Sequence, residues 1–263
     1  MNFAIVFLDI DPTLTNLWKH YLERHLPHVR VPRHLYPQIV TASITALPAN
    51  LTFDCIVSPG NSFARMDGGL DLYISRMFAG SRTGTTHTAA SLTPVLQYVQ
   101  KVHHERWKGL QPVGSCYIID MLPFLVTHEK GSTDNKKGSS KTDLNPSGCR
   151  YIAHTPTMRV PTVIDRDEVV YDCMWAALNE IYNHNSAIDV SLSSRESRHT
   201  QIGKVAVSGL GTGTGNINMD TCAELMVLAY VHFLDAIEKG QDCTAEWSWR
   251  RAKEWDRIIT NRD

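Results

Sequence analysis

Two glycine-rich stretches carry the residue types best suited to chemistry. The first reads Ser58-Pro59-Gly60-Asn61-Ser62-Phe63-Ala64-Arg65-Met66-Asp67-Gly68-Gly69-Leu70-Asp71 and lies between the apolar run FDCIV and an expected short helix. Its backbone N–H groups and the helix N-terminus can converge on an anion, with Gly68 and Gly69 allowing close approach. The second reads Gly209-Leu210-Gly211-Thr212-Gly213-Thr214-Gly215-Asn216 after KVAVS, four alternating glycines interleaved largely with hydroxyls, a pattern suited to backbone wrapping around a ligand. Neither stretch contains the Walker lysine, and GLGTGTGN does not fit GxGxxG with an acidic residue about 20 positions on. Nucleoside triphosphate hydrolysis and hydride transfer therefore lose ground. One glycine loop alone is weak evidence, because many are turns; two of them, each between a strand and a helix, are stronger.

The rest of the composition excludes more than it suggests. With 26 Lys and Arg against 27 Asp and Glu in 263 residues, the chain has no global field to concentrate nucleic acid or anionic lipid, so an anion must be held locally. The six cysteines form no CxxC pair and the twelve histidines show no HExxH spacing, which argues against a disulfide framework or a zinc cluster. Apolar stretches stop short of the roughly 18 to 20 residues of a membrane span, and the N-terminus leads directly into a strand. The expected location is cytoplasmic or nuclear, with no membrane partner.

The elements that must position these loops follow from periodicity. Asn2 to Leu8 reads as a buried strand ending at Asp9, and a helix capped by Thr13 follows with Leu14, Leu17, Trp18, Tyr21 and Leu22 on one face until Pro27. Strands are expected at Gln38 to Ala42, Phe53 to Val57, Cys116 to Met121, Arg150 to Ala153 and Lys204 to Ser208. Helices are expected at Leu70 to Phe78, Leu92 to Trp107, Val169 to Ile181 and Asp220 to Ile237, with a docked terminal helix carrying Trp247, Trp249 and Trp255. Residues 127–148 are polar and rich in Gly, Ser, Lys and Asn, and read as a flexible insertion. Alternating strands and helices predict an α/β fold with a three-layer α/β/α architecture and a mixed, mainly parallel sheet, whose ligands bind beyond the carboxyl ends of strands.

DCIVSPGNSFARMDGGLD resembles the macrodomain pattern in which a strand of the type DAIVNAAN leads to a glycine-rich loop and an Asp. VAVSGLGTGTGNINMDTCAELM is similar to that family's second phosphate loop and the helix behind it. QPVGSCYII, RYIAHTPTMRVP and IVTASITAL resemble further elements in the family's order, so the resemblance covers most of Gln38 to Tyr230. The wording of TPTMRVP and GLGTGTG is closer to a bacterial and phage-tail-like branch, while the first loop is similar to the MacroD-like branch. The resemblance implies one macrodomain over 1–263, with residues 1–36 as an added β-α unit. It also implies binding of ADP-ribose or an ADP-ribosylated protein, nucleic acid entering only as an ADP-ribosylated carrier, and hydrolysis of O-linked ADP-ribosyl groups on a protein or small-molecule carrier. Neither cofactor nor metal is required.

By the same resemblance, Asn61 would orient the distal ribose and Asp71 would position or activate a water. Gly68, Gly69, Gly209, Gly211, Thr212, Gly213, Thr214, Gly215 and Asn216 would hold the diphosphate. Ser43 stands where the family has an adenine-binding Asp before Ile44, and Asp9 with Ile10 could substitute. Asn61 as a loop cap and Asp71 as a helix N-cap are the structural alternatives. Arg159 either reaches a phosphate or pins its loop.

A non-catalytic ADP-ribose reader and an ADP-ribose-phosphate phosphatase remain alternatives within the fold. A more distant one is a Mg²⁺-dependent haloacid-dehalogenase-like phosphatase. Asp9-Ile10-Asp11-Pro12-Thr13 satisfies its DxDxT motif, with Asp9 as nucleophile, Asp11 as acid/base and Asp165 with Asp167 as the available carboxylate pair. That motif explains neither glycine loop.

Overall fold

The computed structural model describes residues 1–29, 31–79, 89–125, 147–191, 200–239 and 248–260. In chain order these form β1 (Ala4–Asp9), α1 (Pro12–His25), β2 (Gln38–Thr41), β3 (Cys55–Ser58), α2 (Gly69–Phe78), α3 (Ala89–Trp107), β4 (Tyr117–Asp120), β5 (Tyr151–His154), α4 (Val169–Ser191), β6 (Lys204–Val207), α5 (Met219–Lys239) and α6 (Trp249–Thr260). The strands build one sheet in the order β2-β1-β6-β3-β5-β4. Every neighbouring pair is parallel except β4 with β5. The expected mixed, mainly parallel sheet is present.

Strand alternation divides the core between two faces. Ile5, Phe7, Cys55, Val57, Tyr151, Ala153, Val205 and Val207 join the apolar faces of α1, α4 and α5. Val6, Leu8, Ile56, Ile152 and Ala206 point the other way, to Ile74 and Phe78 of α2 and Val95 and Val99 of α3. Helices on both faces explain why these strands are apolar except for one terminal residue each, instead of alternating with polar residues. Trp18 is fully buried with its ring 5.0 Å from that of Phe7, and burial of a side chain of this size is worth roughly 1.5–3 kcal/mol.

Several expectations are corrected. Within residues 1–36, β1 lies inside the sheet between β2 and β6 and α1 packs along α5. Asp11, not Thr13, caps α1: its carboxylate accepts the Thr13 N–H at 2.7 Å, and Pro12 takes the first helical position, where no N–H is needed. The strand expected at Phe53 to Val57 begins at Cys55 and includes Ser58, and α4 runs ten residues beyond Ile181.

The 127–148 insertion lies outside the described residues apart from Ser147 and Gly148. Trp247 and Cys243 also lie outside them. Trp255 docks α6 by stacking on His232 and meeting Trp175 edge-on, whereas Trp249 is exposed. The five described cysteines are buried, and no described helix is long and apolar enough to cross a membrane.

Candidate functional site

Because β1, β2, β3, β5 and β6 are parallel, their carboxyl ends lie along one edge of the sheet. Both glycine stretches leave from that edge. The first connects β3 to α2, and its outer strand is laced to the segment after β5 by Thr157 N–H to Gly60 O at 3.1 Å and Ser62 N–H to Met158 O at 3.0 Å. The Asn61 side chain braces the loop from within. Its Oδ1 accepts the N–H groups of Phe63 at 3.1 Å and Arg65 at 3.3 Å, and its Nδ2 donates to the Arg65 carbonyl at 3.1 Å. The loop-cap reading of Asn61 is therefore realised, and one amide N–H remains uncommitted.

Asp71 is not an N-cap. Gly68 holds that position, and Asp71 lies in the first turn of α2, 6% exposed, with Oδ1 accepting the Ser58 hydroxyl at 2.6 Å. Burial raises its carboxyl to about 7, against the pull of the Ser58 hydrogen bond, and the charge of Asp67 adds to the rise. A carboxyl titrating there serves as acid or base near neutrality.

The second stretch connects β6 to α5. Gly209 N–H and the Ser208 hydroxyl both bind the Asp9 carboxylate, and the loop turns back through Ile217 N–H to Gly211 O and Asn216 N–H to Gly213 O. Gly211 has φ +75°, a conformation that a side chain disfavours, and a Cβ on Gly215 would lie 2.5 Å from the Gly211 carbonyl. Among the described residues, the N–H groups of Gly211, Thr212, Gly213, Thr214 and Gly215 meet no protein acceptor. Those of Gly69, Leu70 and Asp71, in the first turn of α2, meet none either.

Both segments line one cleft of about 580 Å³. It is lined by Asn61, Gly68, Gly69, Asp71, Gly209, Gly211, Thr212, Gly213, Thr214 and Gly215. An adjoining cleft of about 460 Å³ shares Gly69, Leu70 and Ser208 with it and contains Asp9, Ile10, Ser43 and Ile44. Leu70, Tyr73, Ile10 and Ile44 give this second cleft apolar walls suited to a flat ring, with the Asp9 carboxylate beside them. Asn216 lines neither cleft; at φ +56° it turns the chain away toward α5. Arg159 faces a third cleft with Val163, Arg166 and Asp172, not the one between the glycine loops.

Sequence reasoning did not single out Ser58 and His154. They end two buried parallel strands, pair in register, and lie 3.3 Å apart from Oγ to Nδ1. A polar residue closing an apolar strand at the carboxyl edge is the signal that marks both. Nor does the structure assemble a DxDxT phosphatase centre. Asp11 caps α1, Asp9 Oδ2 is held by Ser208 and Gly209, and Asp165 lies in the cleft of Arg166. No group of three or more His, Cys, Asp or Glu among the described residues is arranged to hold a metal ion.

No family model matches the sequence, and no curated protein matches it. Among solved structures, the chain is similar to the macrodomain of Mycobacterium tuberculosis DarG at 15% identity and a TM-score of 0.42, over 72% of this chain and 89% of that one. It is also similar to a mutant macrodomain of Oceanobacillus iheyensis with ADPR at 15% identity and a TM-score of 0.34, over 70% of this chain and 89% of that one. The chain itself is a three-layer α/β/α fold in which two glycine loops face each other across a cleft at the carboxyl edge of a mainly parallel sheet.

Proposed function

We propose that this chain is a macrodomain that binds ADP-ribose and hydrolyses the O-linked ADP-ribosyl bond. The observation that carries the reading is the row of partnerless N–H groups from Gly211 to Gly215 opposite the α2 N-terminus. Converging backbone donors and a helix dipole suit a diphosphate, and supply locally what a net charge of -1 does not. The apolar cleft beside Asp9 suits adenine at one end. Asn61 and Asp71 stand at the other end, where the distal ribose would lie.

In this reading the ionised Asp71 accepts a proton from a water held against the anomeric carbon. The water oxygen forms the new C–O bond, the bond to the carrier oxygen breaks, and that oxygen leaves as a carboxylate or takes up the proton that Asp71 has accepted. The remaining Asn61 N–H would orient the sugar. A second reading, binding without turnover, is favoured by one observation, that Asn61 commits most of its hydrogen bonds to its own loop.

Calorimetric titration of the protein with ADP-ribose, beside AMP and without Mg²⁺, tests the shared part. Saturable binding of ADP-ribose much tighter than that of AMP is expected, and absence of binding overturns both readings. Release of ADP-ribose from an O-linked ADP-ribosylated protein then separates enzyme from reader.

A further inference from the structure

Three elements bring polar side chains to one buried point. Ser58 closes β3, His154 closes β5 beside it, and α2 delivers Asp71. Ser58 and His154 are fully buried. Gly60 makes the convergence possible, since a Cβ there would lie 2.5 Å from both Asp71 Oδ2 and His154 Cε1.

The proton inventory of this point is constrained. His154 Nε2 lies 3.2 Å from the Asn61 carbonyl, which only accepts, so Nε2 carries the ring proton and Nδ1 is a bare acceptor. Burial holds the imidazole down at about 4, with the Asn61 carbonyl pulling upward and His103 pushing downward, so the ring is neutral near pH 7. The neighbour of Nδ1 is the Ser58 hydroxyl, which also lies 2.6 Å from Asp71 Oδ1. That hydroxyl has one proton to give. When Asp71 is ionised the proton goes to the carboxylate, and a buried nitrogen acceptor is left unmatched. When Asp71 is protonated it donates to Ser58, Ser58 donates to His154, and every donor has an acceptor. Leaving a buried acceptor unmatched costs about 1–3 kcal/mol, so His154 favours the protonated carboxyl.

We propose that Ser58 and His154 are positioning residues that decide whether Asp71 carries a proton. His154 acts by competing for the Ser58 hydroxyl, and Ser58 acts by stabilising the carboxylate when it receives that hydroxyl. The bearing on turnover rests on the hydrolase reading above; the proton state does not.

The charged and titratable groups around the array come from every element packed on it. Asp67, in the loop before α2, adds like charge to Asp71 and is itself forked by Arg65. On the other side, His103 of α3 and Tyr117 of β4 meet the His154 ring edge-on with centroids 6.2 and 5.8 Å away, and they bond to each other at 3.2 Å.

The test is a carboxyl-carbon NMR titration of Asp71 in the ligand-free protein, compared with Ser58→Ala and His154→Phe. Phenylalanine keeps an aromatic ring in the site and removes the acceptor facing Ser58. The two variants are expected to move the Asp71 midpoint in opposite directions by about one pH unit, Ser58→Ala upward and His154→Phe downward. The pH profile of ADP-ribosyl hydrolysis should move with each midpoint. Unmoved midpoints in both variants, or movement in the same direction, overturn the proposal.

Nitrogen NMR of the wild-type histidines keeps the test independent of whether the variants fold. His154 should remain the neutral Nε2–H tautomer from roughly pH 5 to pH 8, and a cation or Nδ1–H tautomer there overturns the proposal. ADP-ribose titration of the same samples separates the two claims, since loss of the function reading leaves the carboxyl midpoints measurable.

Discussion

The Asp9 carboxylate latches the second glycine loop through Ser208. Oδ2 accepts the Ser208 hydroxyl at 2.6 Å and the Gly209 N–H at 3.2 Å, while Oδ1 accepts the Asp11 N–H at 3.0 Å. One side chain at the end of β1 thus fixes both the start of α1 and the departure of the loop from β6. The parallel pairing of β1 with β6 puts the two strand ends side by side, so a residue 200 positions earlier in the chain sets the mouth of the cleft between the glycine loops.

Asp9→Ala should therefore weaken ADP-ribose binding without abolishing folding. Hydrogen bonds to a charged group are worth about 1.5–3 kcal/mol, and part of that loss should appear as about a tenfold rise in Kd. Ser208→Ala should have a smaller effect in the same direction. Calorimetry on both variants checks this, and unchanged affinity in Asp9→Ala would remove the latch from the binding argument.

Gly60→Ala tests the crowding behind the cleft. The new Cβ would meet Asp71 Oδ2 and His154 Cε1 at 2.5 Å, and both side chains are buried and hydrogen-bonded. Overpacking of this kind costs about 1–3 kcal/mol, so the melting temperature should fall by several degrees. A melting curve that coincides with wild type would show that the loop yields without cost.

How far the sequence revealed this arrangement depended on what each residue reports locally. The strands were legible because burial on both faces makes AIVFLD, CIVS, YIAH and KVAV apolar except for one terminal residue each. Glycine spacing marked both loops, and their side-by-side placement followed once the sheet was expected to be parallel. The capping of α1 was misplaced by two residues because Asp11 and Thr13 are both good caps, and Pro12 decides between them by occupying the first helical position. The Ser58–Asp71–His154 convergence was not legible. Ser58 and His154 are 96 positions apart, and only the register of β3 with β5 makes them neighbours. Asn61 lines the cleft, but a sequence does not show that its amide is largely occupied by its own loop.

Gly213→Val should separate folding from ligand binding. A Cβ at Gly213 meets no protein atom within 4 Å, so the substitution leaves the core untouched while placing two methyl groups beside the row of free N–H donors. Thermal unfolding should stay within about 0.5 kcal/mol of wild type, as for an exposed site, while ADP-ribose affinity drops at least tenfold. Retained affinity would mean that the diphosphate does not rest on this loop.

The pH dependence of stability tests the buried carboxyl directly. Asp71 titrates at about 7 in the folded protein and at about 3.9 in an unfolded chain. Between those values the folded state binds more protons than the unfolded one, so this group's contribution to stability falls as pH rises and is at its lowest above about 7. His154 acts in the opposite sense, because its folded value of about 4 lies below the unfolded value of about 6.5, and stability is lost as pH falls through that window. In the wild type the two slopes oppose one another between roughly pH 4 and pH 6.5. Asp71→Asn should keep the hydrogen-bond pattern of the protonated carboxyl while removing its titration. The variant should be more stable than wild type at pH 8 by up to about a few kcal/mol, should approach it near pH 4, and should lose stability toward acid more steeply because the His154 slope is no longer offset. Urea unfolding at about pH 8, 6 and 4 measures all three points, and a constant difference between the two proteins across them would mean that Asp71 does not titrate in this range.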